Sequence, residues 1–253
     1  MSSTLGIWVV RKEARELGRL LEDQLGGKLG GLDCGAGQSE NRRAFTASFS
    51  DYPRWILVMA AGIAIRYLEG LTRHKSVDPG VVVIDEGRRF AIALLGGHEG
   101  GANALAYQVA NVTGAIPVVT TATEALKPLI LGIGCRKGVS AEQIGHAVTA
   151  ALSMVSRSPE EIREVVTIDL KGDEKGLIQW CGNLNLPLRL IPLSLIRERP
   201  WVSGSSRLVH SYLGIGGVCE PCALLATFRG HLILRKTTRN GVAVALAEER
   251  SGR

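Results

Sequence analysis

The chain has 253 residues, of which 45% are hydrophobic and 21% charged, and a formal net charge of +6. That is an ordinary globular balance, long enough for one large or two modest cores, and no apolar run reaches membrane-spanning length. The basic residues are dispersed and aromatics make up only 5%, which argues against nucleic acid and for an acidic small molecule as partner. Charge at Arg11 interrupts the first apolar stretch, so no signal-peptide core is expected and a cytoplasmic location is the default expectation. The cysteines (Cys34, Cys135, Cys181, Cys219 and Cys222) are scattered and read as reduced thiols.

In chain order, Leu5 to Val10 reads as a buried strand. Lys12 to Leu25 follows with helical spacing at Leu17, Leu20, Leu21 and Leu25, closed by Gly26, Gly27, Gly30 and Gly31. Ala44 to Phe49 reads as a short strand and Trp55 to Met59 as a strong one. Ile63 to Leu71 has helical spacing, with Ile65, Leu68 and Leu71 on one side. A polar segment, Thr72 to Gly80, leads to strands at Val81–Ile84 and Phe90–Leu95, joined by the turn Asp85-Glu86-Gly87. Ile116 to Val119 is a further strand. Beyond Lys127-Pro128 a second unit begins, with strands at Leu129–Ile133 and Val165–Leu170. A helix over Ala141–Met154 is capped by Ser140 and Gln143, a second spans Glu174–Asn183, and a short strand covers Leu188–Ile191. Residues 198 to 216 read as a long loop and Val218–Phe228 as a helix with Pro221 in its first turn. A closing hairpin turns at Arg239-Asn240-Gly241. The expected architecture is α/β, with two three-layer domains of mostly parallel open sheets over residues 1–126 and 127–253.

The chemistry concentrates in FAIALLGGHEGGANALAYQVAN, residues Phe90 to Asn111. A strand breaks into Gly96-Gly97-His98-Glu99-Gly100-Gly101 and resumes as a helix. Such a turn brings the backbone close to a ligand and presents helix N-terminal amides to it. His98, Glu99 and Asn103 converge there.

Taken together, AAGIAIR (Ala60–Arg66), KSVDPGVVVIDEG (Lys75–Gly87), LLGGHEGGANALA (Leu94–Ala106) and PVVTTAT (Pro117–Thr123) resemble the N-terminal and central part of the CbiG family of anaerobic cobalamin biosynthesis, the cobalt-precorrin-5A hydrolases. GIGCRKGVSAEQI (Gly132–Ile144), IDLKGDEKGL (Ile168–Leu177) and GGVCEPCAL (Gly216–Leu224) resemble that family's C-terminal domain, which a protein of the aerobic pathway shares. The chain departs from the pattern in a shortened segment between the TTAT and GIGC blocks, and in Gly96 where Ser is common. The resemblance implies an enzyme that opens the lactone of cobalt-precorrin-5A and releases two carbons as acetaldehyde, leaving cobalt-precorrin-5B. It implies no cofactor, since cobalt comes with the substrate, and neighbouring enzymes of the corrin pathway as further partners. A non-catalytic corrinoid-binding or handover protein is the alternative.

Lactone opening needs a base and donors for an oxyanion. His98 suits the base because histidine ordinarily titrates near neutrality; Glu99 would orient it or act as the base itself. Amides around Gly100 and Gly101, with Asn103 as an extra donor, would serve the oxyanion, and Gly97 is a substrate-binding candidate. Lys75, Arg136 and Lys137 are candidate partners for substrate carboxylates, and Thr120 and Thr121 end a strand where open sheets bind ligands. Asp78 before Pro79 is a substrate-binding candidate, though an Asp there also caps turns. Lys171, Asp173 and Glu174 read as a surface salt-bridge group. Cys219 and Cys222 form a lone CxxC that lacks the further ligands zinc needs, so no metal site is expected.

Overall fold

A computed structural model describes residues 4–31, 37–198 and 216–249. The chain divides into two compact units, Met1–Thr121 and Ala122–Arg253. The long loop expected over 198 to 216 falls almost wholly outside the described residues, as do Cys34 and His210.

The first unit is a six-stranded sheet in the order β2-β1-β3-β4-β5-β6. Its strands are β1 (Gly6–Val9), β2 (Lys28–Gly31), β3 (Arg54–Val58), β4 (Gly80–Ile84), β5 (Phe90–Leu95) and β6 (Ile116–Val118). β2, β1, β3 and β4 run parallel; β5 is antiparallel to β4, and β6 is parallel to β5. Successive residues of the central strands point to opposite faces, and both faces are buried. Ile7, Val9, Ile56 and Val58 pack under α1 (Arg15–Leu25) and α4 (Ala102–Thr113), through Leu17, Leu21, Leu105 and Val109. Trp8, Trp55, Leu57 and Val83 pack under α2 (Gln38–Ser48) and α3 (Ala61–Leu68). Burial on both faces is why these strands read as unbroken apolar runs.

Two expectations fail here for physical reasons. Ala44–Phe49 is not a strand but the end of α2 and the 3-10 turn after it. Phe45 is fully buried in an aromatic nest, 5.4 Å from Trp8, 5.1 Å from Trp55 and 5.6 Å from Tyr67 between ring centres. Asn41, one turn earlier, accepts from Trp8 Nε1 (2.7 Å) and Tyr67 Oη (3.1 Å) and donates to Val9 O (3.3 Å), so the same helix face supplies the nest's polar partner. The glycines after α1 do more than end it: Gly30 lies in edge strand β2, where a Cβ would stand 2.6 Å from the Trp8 ring. α3 is also shorter than its spacing suggested. It buries Ala64, Tyr67 and Leu68 and leaves Ile65 60% exposed.

The second unit is a five-stranded sheet in the order β10-β11-β7-β8-β9. The strands are β7 (Leu129–Cys135), β8 (Ile162–Ile168), β9 (Leu188–Ile191), β10 (Gly230–Arg239) and β11 (Val242–Glu249). β7, β8 and β9 are parallel; the β10–β11 hairpin adds antiparallel at the β7 edge. One face packs on α6 (Ala141–Met154) and α7 (Lys175–Asn183), the other on α8 (Leu193–Arg197) and α9 (Cys219–Leu225). A further short helix, α5 (Ala122–Ala125), precedes β7. The hairpin turns on Asn240 (φ 49°) and Gly241 (φ 81°), the positive-φ pair its two-residue loop requires. Ser140 and Gln143 cap α6 reciprocally, Gln143 N to Ser140 Oγ at 3.1 Å and Ser140 N to Gln143 Oε1 at 2.8 Å. Both units are thus α/β with helices on both faces of a mixed sheet, mostly parallel in the first and with two of its four pairings parallel in the second.

Candidate functional site

The reversal of β5 decides where the glycine turn lies. Because β5 runs antiparallel to β4, its C-terminal end sits beside the start of β4 and the 72–79 loop that feeds it. β6 runs with β5 and delivers Thr120 and Thr121 to the same edge. Lys75, Asp78, the 96–101 turn, Asn103 and the two threonines are therefore gathered at the edge where β3 and β4 begin, opposite the C-terminal ends of the parallel strands.

Backbone contact fixes that arrangement. A Cβ on Gly80 would stand 2.2 Å from Gly100 O, and one on Gly100 would stand 2.6 Å from Gly80 N. Gly96 adopts φ 64° and Gly101 φ 75°, left-handed conformations that favour glycine. A Cβ on Gly97 would meet Thr121 Cγ2 at 2.6 Å and Asn103 Oδ1 at 2.8 Å. Only bare backbone lets the turn nest between the start of β4 and the end of β6.

Within the turn, part of the expected donor set is already committed. Gly101 N donates to His98 O (3.2 Å), Ala102 N to Gly96 O (3.1 Å) and Asn103 N to Gly97 O (3.0 Å). Asn103 Nδ2 donates to Thr121 Oγ1 at 3.0 Å, while its Oδ1 is buried without a partner. The Gly101 amide therefore stiffens the turn instead of facing an oxyanion, and Asn103 braces Thr121. His98 and Glu99 are exposed at the tip, and Thr120 is exposed nearby. Lys75 Nζ lies 3.8 Å from Glu99 Oε1, with the two side chains 77% and 48% exposed; a pair so open to water contributes little stability. Asp78 accepts from Arg73 N through both oxygens, at 2.8 and 3.1 Å. Its carboxylate thus closes the polar loop, as an Asp beside Pro can.

Next to the turn lies a groove of about 740 Å³, with Glu99 and Gly100 in one wall and Arg54, Arg73 and Ser76 among its other residues. Sequence reasoning passed over Arg54 and Arg73. Their signal was positional: Arg54 opens β3 and Arg73 opens the loop before β4, on the edge to which the β4–β5 hairpin folds the glycine turn back.

In the second unit, Arg136 and Lys137 are exposed after β7. The glycines of that block have structural work: a Cβ on Gly132 would stand 2.0 Å from Cys219 O of α9. The turn already holds a protein carboxylate. Glu174 accepts from Gly138 N at 2.7 Å and from Lys171 Nζ at 2.9 Å. The Lys171 hydrogen bond first, then the Gly138 amide, hold the Glu174 carboxyl below its ordinary range. The salt bridge expected from sequence is present between Lys171 and Glu174, but Glu174 is buried, at 8% exposed, while Asp173 is exposed. Cys219 and Cys222 are buried free thiols, and among the described residues no group of His, Cys, Asp and Glu could hold a metal ion. Burial pushes the Cys181 and Cys219 thiols up to about 12 and raises Cys222 well above the ordinary value.

Fold and site together define a two-unit α/β protein whose glycine turn borders a cation-lined groove. The chain belongs to the cobalamin synthesis G family: the family's N-terminal domain matches residues 43–124 and its C-terminal domain residues 129–247. Among its relatives is the cobalt-precorrin-5A hydrolase of Salmonella typhimurium, 24% identical, covering 79% of this chain and 83% of that one. The hydrolase of Priestia megaterium is 23% identical and covers 92% of this chain and 91% of its own length. That alignment runs over 346 positions, more than the chain's 253 residues, so the relative carries segments this chain lacks. Of solved structures, the cobalamin-pathway protein CobE is 30% identical with a TM-score of 0.47, covering 50% of this chain and 93% of its own. A putative cobalamin biosynthesis protein G homolog from Sulfolobus solfataricus is 18% identical with a TM-score of 0.39, covering 98% of this chain and 99% of its own.

Proposed function

We propose that this chain is a cobalt-precorrin-5A hydrolase of corrin-ring biosynthesis in the anaerobic pathway. The observation that carries the reading is the ordered pair of family domains on one chain, with hydrolase-named relatives spanning most of it. A non-catalytic carrier is the weaker reading, because the relative named CobE covers only 49% of this chain whereas the hydrolases run across both units.

His98, at the exposed tip of the turn, takes a proton from water as hydroxide adds to the lactone carbonyl. The amides left for the resulting oxyanion are those of Gly97 and Gly100, since Gly101, Ala102 and Asn103 spend theirs within the turn. Collapse breaks the carbon–oxygen bond of the ring, leaving a carboxylate and a hydroxyl on the two-carbon unit. Deprotonation of that hydroxyl, by His98 or Glu99, drives its electron pair out through the adjacent carbon–carbon bond into the macrocycle. Acetaldehyde leaves, and the macrocycle takes up the proton. Lys75, Thr120 and Thr121 contact the substrate's polar fringe, with Asp78 holding the loop behind Lys75. In the second unit, taken by itself, Arg136 and Lys137 are candidate partners for substrate carboxylates. The substrate brings the cobalt, no other cofactor is needed, and adjacent pathway enzymes supply the lactone and take the product. The test is acetaldehyde release from cobalt-precorrin-5A by the purified protein; an inert protein that still binds the corrinoid would favour the carrier.

A further inference from the structure

The groove beside the glycine turn is more than the back of a loop. Arg54 is the first residue of β3, in register with Gly80, and its Cδ lies 3.8 Å from where a Cβ on Gly101 would stand. The guanidinium stem therefore runs along the base of the catalytic turn. Arg73 lines the same groove from a loop whose path is set by the two bonds from its amide to Asp78. The loop closure fixes the backbone of Arg73 and commits the Asp78 carboxylate to a main-chain donor. Glu99, the other acid of the groove wall, faces Lys75. Among the described residues neither Arg54 nor Arg73 forms an ion pair with a carboxylate. Two guanidiniums thus border a groove of about 740 Å³, of the size that takes a small ligand or one arm of a larger one.

We infer that Arg54 and Arg73 receive peripheral carboxylates of the macrocycle, with a carboxylate-bearing arm lying in the groove and the ring edge brought to His98. This deepens the hydrolase reading and rests on it. Arginine suits the role because its planar fork matches a carboxylate and stays charged at any working pH. Placement follows from the sheet: one cation is anchored to a central strand, and the other sits on the loop before its neighbour, held there by Asp78. Serine hydroxyls of Ser50 and Ser76 border the same groove and complete a polar lining. Both arginines act in binding and positioning, not in proton transfer.

The experiment uses the full chain and two readouts. The first is steady-state kinetics with cobalt-precorrin-5A. The second is equilibrium binding of a cobalt corrinoid with free peripheral carboxylates, set against the same corrinoid fully methyl-esterified. Arg54→Gln and Arg73→Gln are each expected to raise KM, and Kd for the acid form, about fivefold to tenfold, with kcat within about twofold, the range for one charge-assisted contact at a partly open site. The esterified form should bind wild type and variants alike. Arg54→Lys, which keeps charge and guards against a strand defect, should recover part of the loss. Arg19→Gln, an equal charge change at an exposed position of helix α1, should alter nothing. Unchanged KM and Kd in both Gln variants would overturn the inference, as would an equal loss with the esterified form. A wild-type protein that releases no acetaldehyde, yet binds the acid form in an arginine-dependent way, would sink the hydrolase reading and leave the groove standing.

Discussion

Gly80→Ala isolates the contact that positions the turn. The new Cβ would stand 2.2 Å from Gly100 O, 2.8 Å from Gly100 C and 3.0 Å from Ala102 N. Carbon and oxygen need roughly an ångström more than that, and the obstacle is main chain, which cannot rotate aside as a side chain would. β4 cannot yield cheaply, since Gly80 N donates to Pro53 O at 3.1 Å and the strand is zipped to β3 from Arg54 onward. The turn must move instead, off the start of β4. Overpacking of this kind costs about 1–3 kcal/mol, and backbone obstruction puts the expectation near 3, about a hundredfold in the folding constant. A displacement of about 1 Å at reacting groups costs on the order of a hundredfold in rate. Gly62→Ala is the matched control: it sits in α3, and its Cβ would meet only the tip of Arg66, at 4.0 Å. Alanine is favoured over glycine in a helix by roughly 0.5–1 kcal/mol, so the control should be neutral or slightly stabilising. Urea denaturation followed by near-ultraviolet circular dichroism reads the first quantity and acetaldehyde release the second. Wild-type stability and rate in Gly80→Ala would refute the argument that this backbone contact builds the site.

Two further predictions concern the second unit. The Glu174 carboxyl is held below its ordinary value near 4.5 by Lys171 and the Gly138 amide, so its contribution is full above that value and is lost as pH falls through the lower folded-state value. Wild type should therefore lose stability in the acid range below about pH 4.5 by a margin that Glu174→Gln lacks, as read by denaturation midpoints between pH 3 and 6, and parallel curves would contradict it. Cys181, Cys219 and Cys222 are buried with raised thiol pKa values, so in native protein at pH 8 they should resist iodoacetamide and react only after unfolding; peptide mapping that finds any of them promptly alkylated would contradict the burial.

Much of the fold was written in runs and punctuation. WILVM and VVVI are buried on both faces, and Asn240-Gly241 can serve a two-residue hairpin, so composition alone carried those elements. What failed needed tertiary partners. Phe45 and Phe49 look like strand residues until Trp8, Trp55 and Tyr67 close around Phe45. Gly30 looks like punctuation until the Trp8 ring is laid over it. The glycine turn was legible as a strand–turn–helix, but its neighbours were not. The Asp85–Gly87 turn implied an antiparallel pair, and following that implication would have placed Arg54 and Arg73 beside Gly100. The assignment of Gly101 to an oxyanion hole failed because helix entry consumes that amide locally, which spacing along the chain does not reveal.

The most direct test of the central claim is acetaldehyde release from cobalt-precorrin-5A by wild type and by His98→Ala, with circular dichroism confirming that the variant is folded. Wild type should release one acetaldehyde per lactone opened. His98→Ala should be slower by roughly a hundred- to ten-thousand-fold, the loss expected for a general base. Release at the wild-type rate from the folded variant would contradict the placement of the chemistry at the glycine turn.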